Sequence, residues 1–427
     1  MNSRIRRVVI GAACALAVLA PFFVMCALIV AHGVNVPFMD EWESVRLFEK
    51  MDAGTLSIAD IWQQHNEHRI FFVNLITVGV GGLTHWNLGV QMMISLLLAL
   101  GTLLVFCAYV QDDVRRRPVQ LICLVLVSAL LFSAVQWENF LRAFQLQWFL
   151  CIFAGVAALY LLDARAKIGS YNLRFCLAIA LCFVSAYSLG SGIFFWAAGL
   201  VPLIATKQSR RRIGVWAGAA GASLALYFYQ YMFLEKTATG ASPVHYVEFF
   251  LAYIGNVFTY IPEVAVIFGA VILGVSGLLL WYALRVRRIG LSKLALPIGL
   301  MIFVLLSDLV TTQSRVNVTG AFGATTSKYA TVSTLLVVAL ILICMQLYRT
   351  KQAFMPLLLS VVMVPLIVGV SLHGVAQMRS LHDSLAAMRY CLGETNPSQA
   401  CLGSSHPSPG KVAEHLPFLK REHLGGF

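Results

Sequence analysis

The most constraining feature of this chain is a succession of uninterrupted apolar runs, such as the one from residue 88 to residue 110. A run of about 17–25 apolar residues can cross a hydrocarbon core of about 30 Å as a helix, in which all backbone hydrogen bonds are internal. Hydrophobic residues make up 59% of the 427 residues and charged residues only 12%, with a mean hydropathy of +0.80. This composition excludes an ordinary water-soluble domain. We therefore predict an all-α polytopic membrane protein.

The apolar runs predict about eleven transmembrane helices. They cover residues 8–31, 88–110, 119–136, 145–162, 175–190, 192–206, 213–233, 264–284, 294–310, 329–347 and 355–373. Together they define a transmembrane domain over residues 1–373, which contains a long loop over residues 32–87. Residues 374–427 form a short C-terminal tail. The first run is too long for a signal-peptide core, so we expect it to be an uncleaved anchor.

The charge distribution predicts the orientation, because basic residues accumulate in short cytoplasmic loops. Six alternating segments hold most of the basic residues: Arg4, Arg6, Arg7, Arg115, Arg116, Arg117, Arg165, Lys167, Arg174, Lys207, Arg210, Arg211, Arg212, Arg285, Arg287, Arg288, Lys293, Arg349 and Lys351. The only acidic residues in these segments are Asp112, Asp113 and Asp163. The pattern predicts a cytoplasmic N-terminus, with the loop 32–87 and the C-terminal tail on the opposite side. The net charge of +12 therefore reflects topology, and we predict no nucleic-acid partner.

Two cysteines, Cys391 and Cys401, lie outside the predicted spans. A disulfide would close this interval if the tail lies in an oxidising compartment. The other eight cysteines lie inside predicted spans, where cysteine behaves as a small apolar residue.

The loop 32–87 carries most of the polar residues that suggest chemistry. Asp40 and Glu41 are adjacent carboxylates just after the first span. Ser57 followed by Asp60 resembles a capping box, which predicts a helix that begins there and continues to Phe72. On that helix His65 and Arg69 extend the apolar stripe, His68 lies one turn from His65, and Glu67 points elsewhere. The segment from Ile70 to Trp86 is expected along the membrane interface or re-entering it.

Three other segments combine charged and aromatic residues on the same predicted side of the membrane. The first holds Trp137, Glu138 and Asn139, followed by Arg142 and Gln145; the second is the loop Glu235–Glu263; the third runs from Asp308 through Arg315 to Lys328 and Tyr329. A protein that uses a lipid-linked sugar needs cations for the phosphate and a carboxylate to deprotonate a hydroxyl. Asp40 or Glu41 is the candidate base. The candidate cations are Arg69, Arg142, Arg315 and Lys328.

These motifs resemble the GT-C superfamily of polytopic glycosyltransferases, in particular a little-characterised bacterial subgroup. The resemblance is carried by Asp40-Glu41-Trp42, by His65-Asn66-Glu67-His68-Arg69 and by Trp137-Glu138-Asn139 with Phe144-Gln145, within a layout that extends over residues 1–350. Phage serotype-converting glucosyltransferases are functionally similar. The chain differs from larger members of the superfamily because it lacks their separate C-terminal domain, so we expect loops to bind the acceptor.

The resemblance implies an inverting transfer from a polyprenyl-phosphate sugar to a glycan or lipid acceptor. It places the activity at the periplasmic face of a bacterial inner membrane, in contact with membrane lipids. Asp40 is implied as the general base, with Glu41 as the alternative base or as the group that orients Asp40. His65, Glu67, His68, Arg69, Trp137, Glu138, Arg142, Gln145, Arg315, Lys328 and Tyr329 are implied to bind substrate. No cofactor is implied.

Each of these residues also has a simpler interpretation. His65 and His68 are suited to hydrogen bonding with sugar or phosphate, to interfacial packing, or to a divalent metal shared with Asp40. Arg69 suits a snorkelling cation and Trp137 an aromatic belt. The remaining charges have equally ordinary roles: Glu138 and Arg142 as a helical ion pair, and Arg315, Lys328 and Tyr329 as anchors at helix ends.

Two other functions remain open from the sequence. A flippase or transporter of lipid-linked sugars would place ionisable residues within its spans, and here the span interiors are almost free of charge. An acyl or phosphoglycerol transferase would pair a periplasmic acid or histidine with basic residues, which keeps His65 and His68 as candidates.

Overall fold

The computed structural model describes residues 3–110, 117–233, 240–348 and 354–427. Some residues named above lie outside these ranges: Asp112, Asp113, Arg115, Arg116, Glu235, Arg349 and Lys351. The described residues form helices and one two-stranded antiparallel sheet. The predicted all-α class is thus confirmed.

The helices and strands follow one another in this order. They are α1 (Ser3–His32), α2 (Val45–Asp52), α3 (Ile58–Trp62), β1 (Gln64–His65), β2 (His68–Arg69), α4 (Phe71–Thr84), α5 (Leu88–Val110), α6 (Arg117–Leu131), α7 (Trp137–Leu141), α8 (Leu146–Leu162), α9 (Tyr171–Ala186), α10 (Phe194–Ala205), α11 (Arg210–Phe228), α12 (Pro243–Gly255), α13 (Pro262–Trp281), α14 (Leu291–Thr319), α15 (Ser327–Tyr348), α16 (Phe354–Gly393), α17 (Gln399–Ser405) and α18 (Pro409–Arg421). Short 3₁₀ turns occupy Met39–Ser44, Ala134–Gln136, Ala143–Gln145, Gly190–Ile193 and Ala321–Thr325, and a π-helical turn occupies Tyr282–Val286.

Within the described ranges, eight helical segments are long and apolar enough to cross a membrane. They are Ile10–His32, Leu88–Val110, Val119–Leu141, Ala143–Leu162, Pro262–Val286, Leu291–Thr319, Ser327–Leu347 and Ser360–Gly393. Each coincides with one of the eleven predicted spans. The chain is therefore a multi-pass membrane protein.

The other three predicted spans coincide with shorter or less apolar helices. Helices α9 and α10 are about 24 Å and 18 Å long at 1.5 Å per residue, which is less than a hydrocarbon core of about 30 Å. Between them the chain turns tightly at Gly192, where an added Cβ would lie 2.0 Å from the carbonyl oxygen of Ser185. Helix α11 begins with three arginines, which shortens its apolar part. The count of eleven spans stays a prediction.

The loop 32–87 folds differently from the sequence prediction. The capping box is present, since the Ser57 hydroxyl accepts from the Asp60 backbone N–H at 3.3 Å while the Asp60 carboxylate accepts from Ser57. The predicted continuation to Phe72 is wrong, because the helix ends at Trp62 and a β-hairpin follows. In that hairpin His65 pairs with His68, and the turn places Asn66 at a φ of 48°, a left-handed conformation that asparagine tolerates well.

The C-terminal region is helical and packs against the loop 32–87. Helix α16 continues without a break through the predicted boundary at residue 374 as far as Gly393. The disulfide between Cys391 and Cys401 is present and joins α16 to α17. Near the end of the chain, the Gly425 backbone N–H donates to the His85 carbonyl at 3.2 Å. Residues 374–427 thus pack against one side of the loop 32–87.

Helix α5 separates the loop 32–87 from a basic cluster that contains Arg165 and Lys293. At one end of the helix, the Leu88 N–H donates to Asn35 Oδ1 at 2.9 Å. At the other end, the Tyr109 hydroxyl donates to the Lys293 carbonyl at 3.1 Å, and the Arg165 guanidinium lies 4.2 Å from the Tyr109 ring. A helix of 23 residues is about 35 Å long. The loop 32–87 and the basic cluster therefore lie about one membrane thickness apart.

Two glycines allow helices α12 and α13 to approach closely. A Cβ on Gly255 would lie 1.9 Å from the Ala265 carbonyl oxygen, and one on Gly269 would lie 1.9 Å from the Leu251 carbonyl oxygen. Small residues at such crossings are typical of helix packing in membranes.

We expect Gly269→Ala to destabilise the protein, because the new methyl group would push α12 and α13 apart. Overpacking of this kind costs about 1–3 kcal/mol. Gly274→Ala is the matched control in the same helix, since a Cβ there would meet nothing within 4 Å. Thermal unfolding of the purified variants in detergent should show a lower midpoint for Gly269→Ala alone. Equal midpoints would contradict this packing.

Candidate functional site

One cleft brings together residues from distant parts of the chain. Its volume is about 550 Å³, and its walls come from the β-hairpin, the segment before α8, the turn before α10, and helices α11, α14 and α15. Eight of the residues predicted from the sequence line it: Asp40, His65, Glu67, His68, Gln145, Arg315, Lys328 and Tyr329. We take this cleft as the candidate site.

Asp40 is the more exposed of the two carboxylates that line the cleft, the other being Glu67. It lies in the 3₁₀ turn Met39–Ser44, and its side chain is 44% exposed. Arg142 stands next to it, with Nη2 at 4.0 Å from Asp40 Oδ2. Arg142 is itself buried and donates to Glu138 at 3.0 Å. Neither Arg142 nor Glu138 lines the cleft, so this pair supports Asp40 from the side away from the cleft.

Glu41 is buried and does not line the cleft. Its carboxylate accepts hydrogen bonds from the backbone N–H groups of Phe38 at 2.8 Å and Phe144 at 3.2 Å. Burial raises the pKa of Glu41, and the charge of Arg142 together with these hydrogen bonds opposes the shift. Of the two roles that the sequence left open, the geometry favours the one in which Glu41 orients Asp40.

The hairpin places two imidazoles in the cleft. Burial lowers the pKa of His68 to about 4, and the nearby Arg315 and Lys328 act in the same direction. Burial also lowers the pKa of His65, although the Asp40 carboxylate opposes it. Both shifts favour the neutral imidazole, which is suited to hydrogen bonding and not to charge neutralisation.

Two cations also line the cleft. Arg315 lies near the end of α14 and donates to Glu67 Oε2 at 2.9 Å. Lys328 lies at the start of α15, with its ammonium 5.5 Å from the centre of the Tyr329 ring. The chain thus contributes one cation from each side of the turn that joins these two helices.

The Trp137-Glu138-Asn139 motif holds the start of α15 in place. Asn139 Nδ2 donates to the Lys328 carbonyl at 2.9 Å and to the Thr331 hydroxyl at 2.7 Å. The Glu138 backbone N–H donates to the Ser327 hydroxyl at 3.2 Å. Trp137 packs against the apolar core. The motif therefore positions Lys328 without lining the cleft itself.

Arg69 lies outside the cleft, contrary to the sequence expectation of a cation facing the substrate. It is 3% exposed and donates to the carbonyls of Tyr227 at 2.7 Å, Trp62 at 3.3 Å and Tyr229. The physical reason is the hairpin, which turns Arg69 inward and brings Glu67 into the cleft. Arg69 thus joins the hairpin to the end of α11.

Several cleft residues were not predicted from the sequence. Tyr227 and Tyr231 donate to the Glu67 carbonyl at 2.9 and 3.2 Å. Trp148 Nε1 donates to Gln145 Oε1 at 2.8 Å. Gly190 leaves room for His68, since a Cβ there would lie 2.7 Å from its Nδ1. All four are inside or between predicted spans, where aromatic residues and glycine carry no distinctive signal.

The described ranges contain no group of three or more His, Cys, Asp or Glu side chains placed to hold a metal ion. The shared metal considered for Asp40, His65 and His68 therefore has no support in the geometry of the described residues.

Comparisons of the chain with models of known protein families, with curated proteins and with solved structures found no match.

The different placements of Arg69 and Arg315 predict different effects of substitution. Arg69→Ala would leave the buried Tyr227 carbonyl without its donor, at a cost of about 1–3 kcal/mol, and would remove the partly buried bonds to the Trp62 and Tyr229 carbonyls. Arg315→Ala removes a pair in which the arginine side chain is 33% exposed, so its effect on stability should be small. Thermal unfolding should give a clearly lower midpoint for Arg69→Ala than for Arg315→Ala. The reverse order would contradict the assignment of Arg69 as a structural residue.

Proposed function

We propose that this chain is a membrane glycosyltransferase, which transfers a sugar with inversion from a polyprenyl-phosphate donor to a glycan or lipid acceptor. The observation that carries the proposal is that Asp40, Arg315 and Lys328 line the same cleft. A carboxylate and two cations in one cleft are the groups that such a transfer requires.

The proposed reaction gives one role to Asp40 and another to the two cations. Asp40 accepts the proton of the acceptor hydroxyl as its oxygen attacks the anomeric carbon of the donor. The bond from that carbon to the phosphate oxygen breaks on the opposite face of the sugar, and the electron pair leaves with the phosphate. The configuration inverts because attack and departure occur on opposite faces. Arg315 and Lys328 stabilise the charge on the departing phosphate.

Arg315 can hold a phosphate while it remains paired. Its Nη2 donates to Glu67, whereas a guanidinium has five N–H donors in total. A pair of N–H groups from arginine matches two oxygens of a phosphate, which adds both energy and orientation. Glu67 then serves to hold the guanidinium in a fixed position.

The mouth of the cleft suits a lipid-linked donor. Val310 of α14 and Phe228 of α11 line the cleft and are also 51% and 46% exposed. An apolar, exposed rim between two helices would allow a prenyl chain to remain in the bilayer while its phosphate enters the cleft. This feature supports a donor with a lipid carrier over a soluble nucleotide sugar.

We propose that the cleft faces the periplasm and that the protein lies in a bacterial inner membrane, with its N-terminus in the cytoplasm and its C-terminus in the periplasm. The support is the separation along α5 between the loop 32–87 and the basic cluster around Arg165 and Lys293. Basic residues mark the cytoplasmic side.

A histidine-based transfer of an acyl or phosphoglycerol group is less well supported. Such a reaction needs an imidazole that accepts a proton near neutral pH. Burial lowers the pKa of His68 to about 4, so its imidazole has no advantage as a base over a carboxylate. Asp40 is the better candidate on geometry, because its side chain lines the cleft and is 44% exposed.

We expect Asp40→Asn to lower turnover by about 10²–10⁴-fold, because the amide keeps the shape of the side chain but accepts no proton. The assay would measure release of undecaprenyl phosphate from a panel of undecaprenyl-phosphate hexoses and pentoses, with the full-length protein in nanodiscs and membrane extract as the acceptor source. Asp383→Asn is the matched control, since Asp383 is an exposed carboxylate on α16 that does not line the cleft. Full turnover in Asp40→Asn would remove this residue from the mechanism.

A further inference from the structure

The C-terminal helix α18 docks on the loop 32–87 through charge pairs in which every acid comes from the loop and every base from the helix. The pairs are Lys411 with Glu43, His415 with Glu49 at 2.8 Å, and Arg421 with Asp52 at 3.6 Å. Val412, Leu416 and Leu419 add a buried apolar stripe on the same helix. This combination fixes α18 against the loop.

Docking supplies one wall of a second cavity, with a volume of about 330 Å³. Lys411 and His415 of α18 form one wall, and residues of the loop 32–87 such as Trp42 form most of the others. The volume is at the lower end of the range of about 300–1,000 Å³ that is typical of small-molecule sites. The cavity is therefore large enough for one or two small polar units.

The second cavity adjoins the candidate cleft. His65 and Phe144 line both of them, with their ring centres 4.8 Å apart. The pKa of His65 responds to the charges of Asp40 on the cleft side and of Glu43 and Lys411 on the cavity side. The side chains of His65 and Phe144 thus form a shared partition between the cavity and the cleft that contains Asp40.

The chemistry of the walls favours a ligand rich in hydroxyl groups. Gln63 contributes an amide, which can both donate and accept hydrogen bonds, and Asn74 contributes an amide whose nitrogen already donates to the Ile61 carbonyl. The amide of Gln64 is already bonded to Asn66 and Met232. Trp42 is fully buried, and its Nε1–H has no hydrogen-bond partner among the residues that the structure describes. A buried donor without a partner is unfavourable, and an oxygen atom of a bound molecule would satisfy it.

The charges around the cavity favour an uncharged ligand. Lys411 is paired with Glu43, and His415 is hydrogen-bonded to Glu49. Asp60 also lines the cavity, and it is paired with Lys50, which does not. Arg46 is the one other charged residue in the lining, and it is exposed. Because Lys411, Glu43 and Asp60 already have partners, an anionic ligand would gain only this exposed cation, where an ion pair contributes little.

We propose that this cavity binds an uncharged sugar residue of the acceptor, with helix α18 as one wall. Its role as an acceptor subsite rests on the function proposed above, whereas the binding of sugar does not. The acceptor hydroxyl would then reach Asp40 past the partition formed by His65 and Phe144. The C-terminal region takes part in acceptor recognition in this arrangement.

The test measures sugar binding directly, with the full-length protein in nanodiscs. Saturation-transfer NMR would be recorded for the methyl glycosides of glucose, galactose and mannose, and for glucuronic acid as a charged probe. We expect a signal from at least one neutral glycoside, and a signal at least fivefold weaker from glucuronic acid. His415→Trp, which fills the cavity, should reduce the neutral signal at least fivefold.

Glu414→Trp is the matched control, since Glu414 is the exposed neighbour of His415 on the same helix and does not line the cavity. Trp42→Phe is a second variant that removes the unpartnered N–H, and it tests the proposal if His415→Trp fails to fold. The absence of a signal from all three neutral glycosides, or an unchanged signal in the folded cavity variants, would overturn the proposal.

Sugar binding without turnover of any polyprenyl-phosphate sugar would support this cavity and contradict the proposed reaction. Turnover without sugar binding would overturn this cavity and leave the reaction standing.

Discussion

The arrangement of the site depends on one buried carboxylate that joins two distant segments of the chain. Glu41 accepts backbone hydrogen bonds from Phe38, in its own loop, and from Phe144, more than one hundred residues later. These bonds fix the turn that presents Asp40 against the segment that presents Gln145. A buried acceptor that lost these donors would carry a large desolvation cost, so the two segments are held together strongly.

Other buried side chains act in the same way around the cleft. They do not line it, but they hold in place the segments that do. Arg69 holds the hairpin to the end of α11, and Asn139 holds the start of α15. Buried polar side chains that bond to backbone groups are rigid supports, because each lost bond leaves an unsatisfied group in a region without water. The partly exposed groups Asp40, Arg315 and Lys328 can therefore keep their relative positions in a cleft that is open.

The sequence predicted the parts of the structure that depend on local pattern. Runs such as 88–110 predicted their helices because length and apolarity alone decide whether a segment can cross a membrane. Ser57 and Asp60 predicted a helix start because a capping box is local. The disulfide between Cys391 and Cys401 was open in the sequence, since it depended on where the tail lies. The hairpin at residues 64–69 was missed, because apolar residues at helical spacing suggested a continuing helix, whereas tertiary bonds from Arg69 to α11 favour the hairpin.

The sequence also predicted which polar residues gather in the cleft better than it predicted what each does. Glu41, Arg69 and Glu138 have the same residue types as the groups that line the cleft, and only burial and partners distinguish a support from a group that faces a ligand. The docking of α18 was not predicted, because charge pairs such as Lys411 with Glu43 link residues 368 positions apart. Such pairs leave no periodic signal in one sequence.

In the proposed reaction, Arg315 and Lys328 hold a lipid-borne phosphate in the cleft that contains Asp40. Cryo-electron microscopy of the full-length protein in nanodiscs with geranylgeranyl phosphate would test this role most directly, since the compound supplies the phosphate and the prenyl chain without the sugar. We expect density for the phosphate between Arg315 and Lys328, with the prenyl chain leaving past Val310 and Phe228. Density for the phosphate elsewhere, with the cleft unoccupied at saturating ligand, would contradict it.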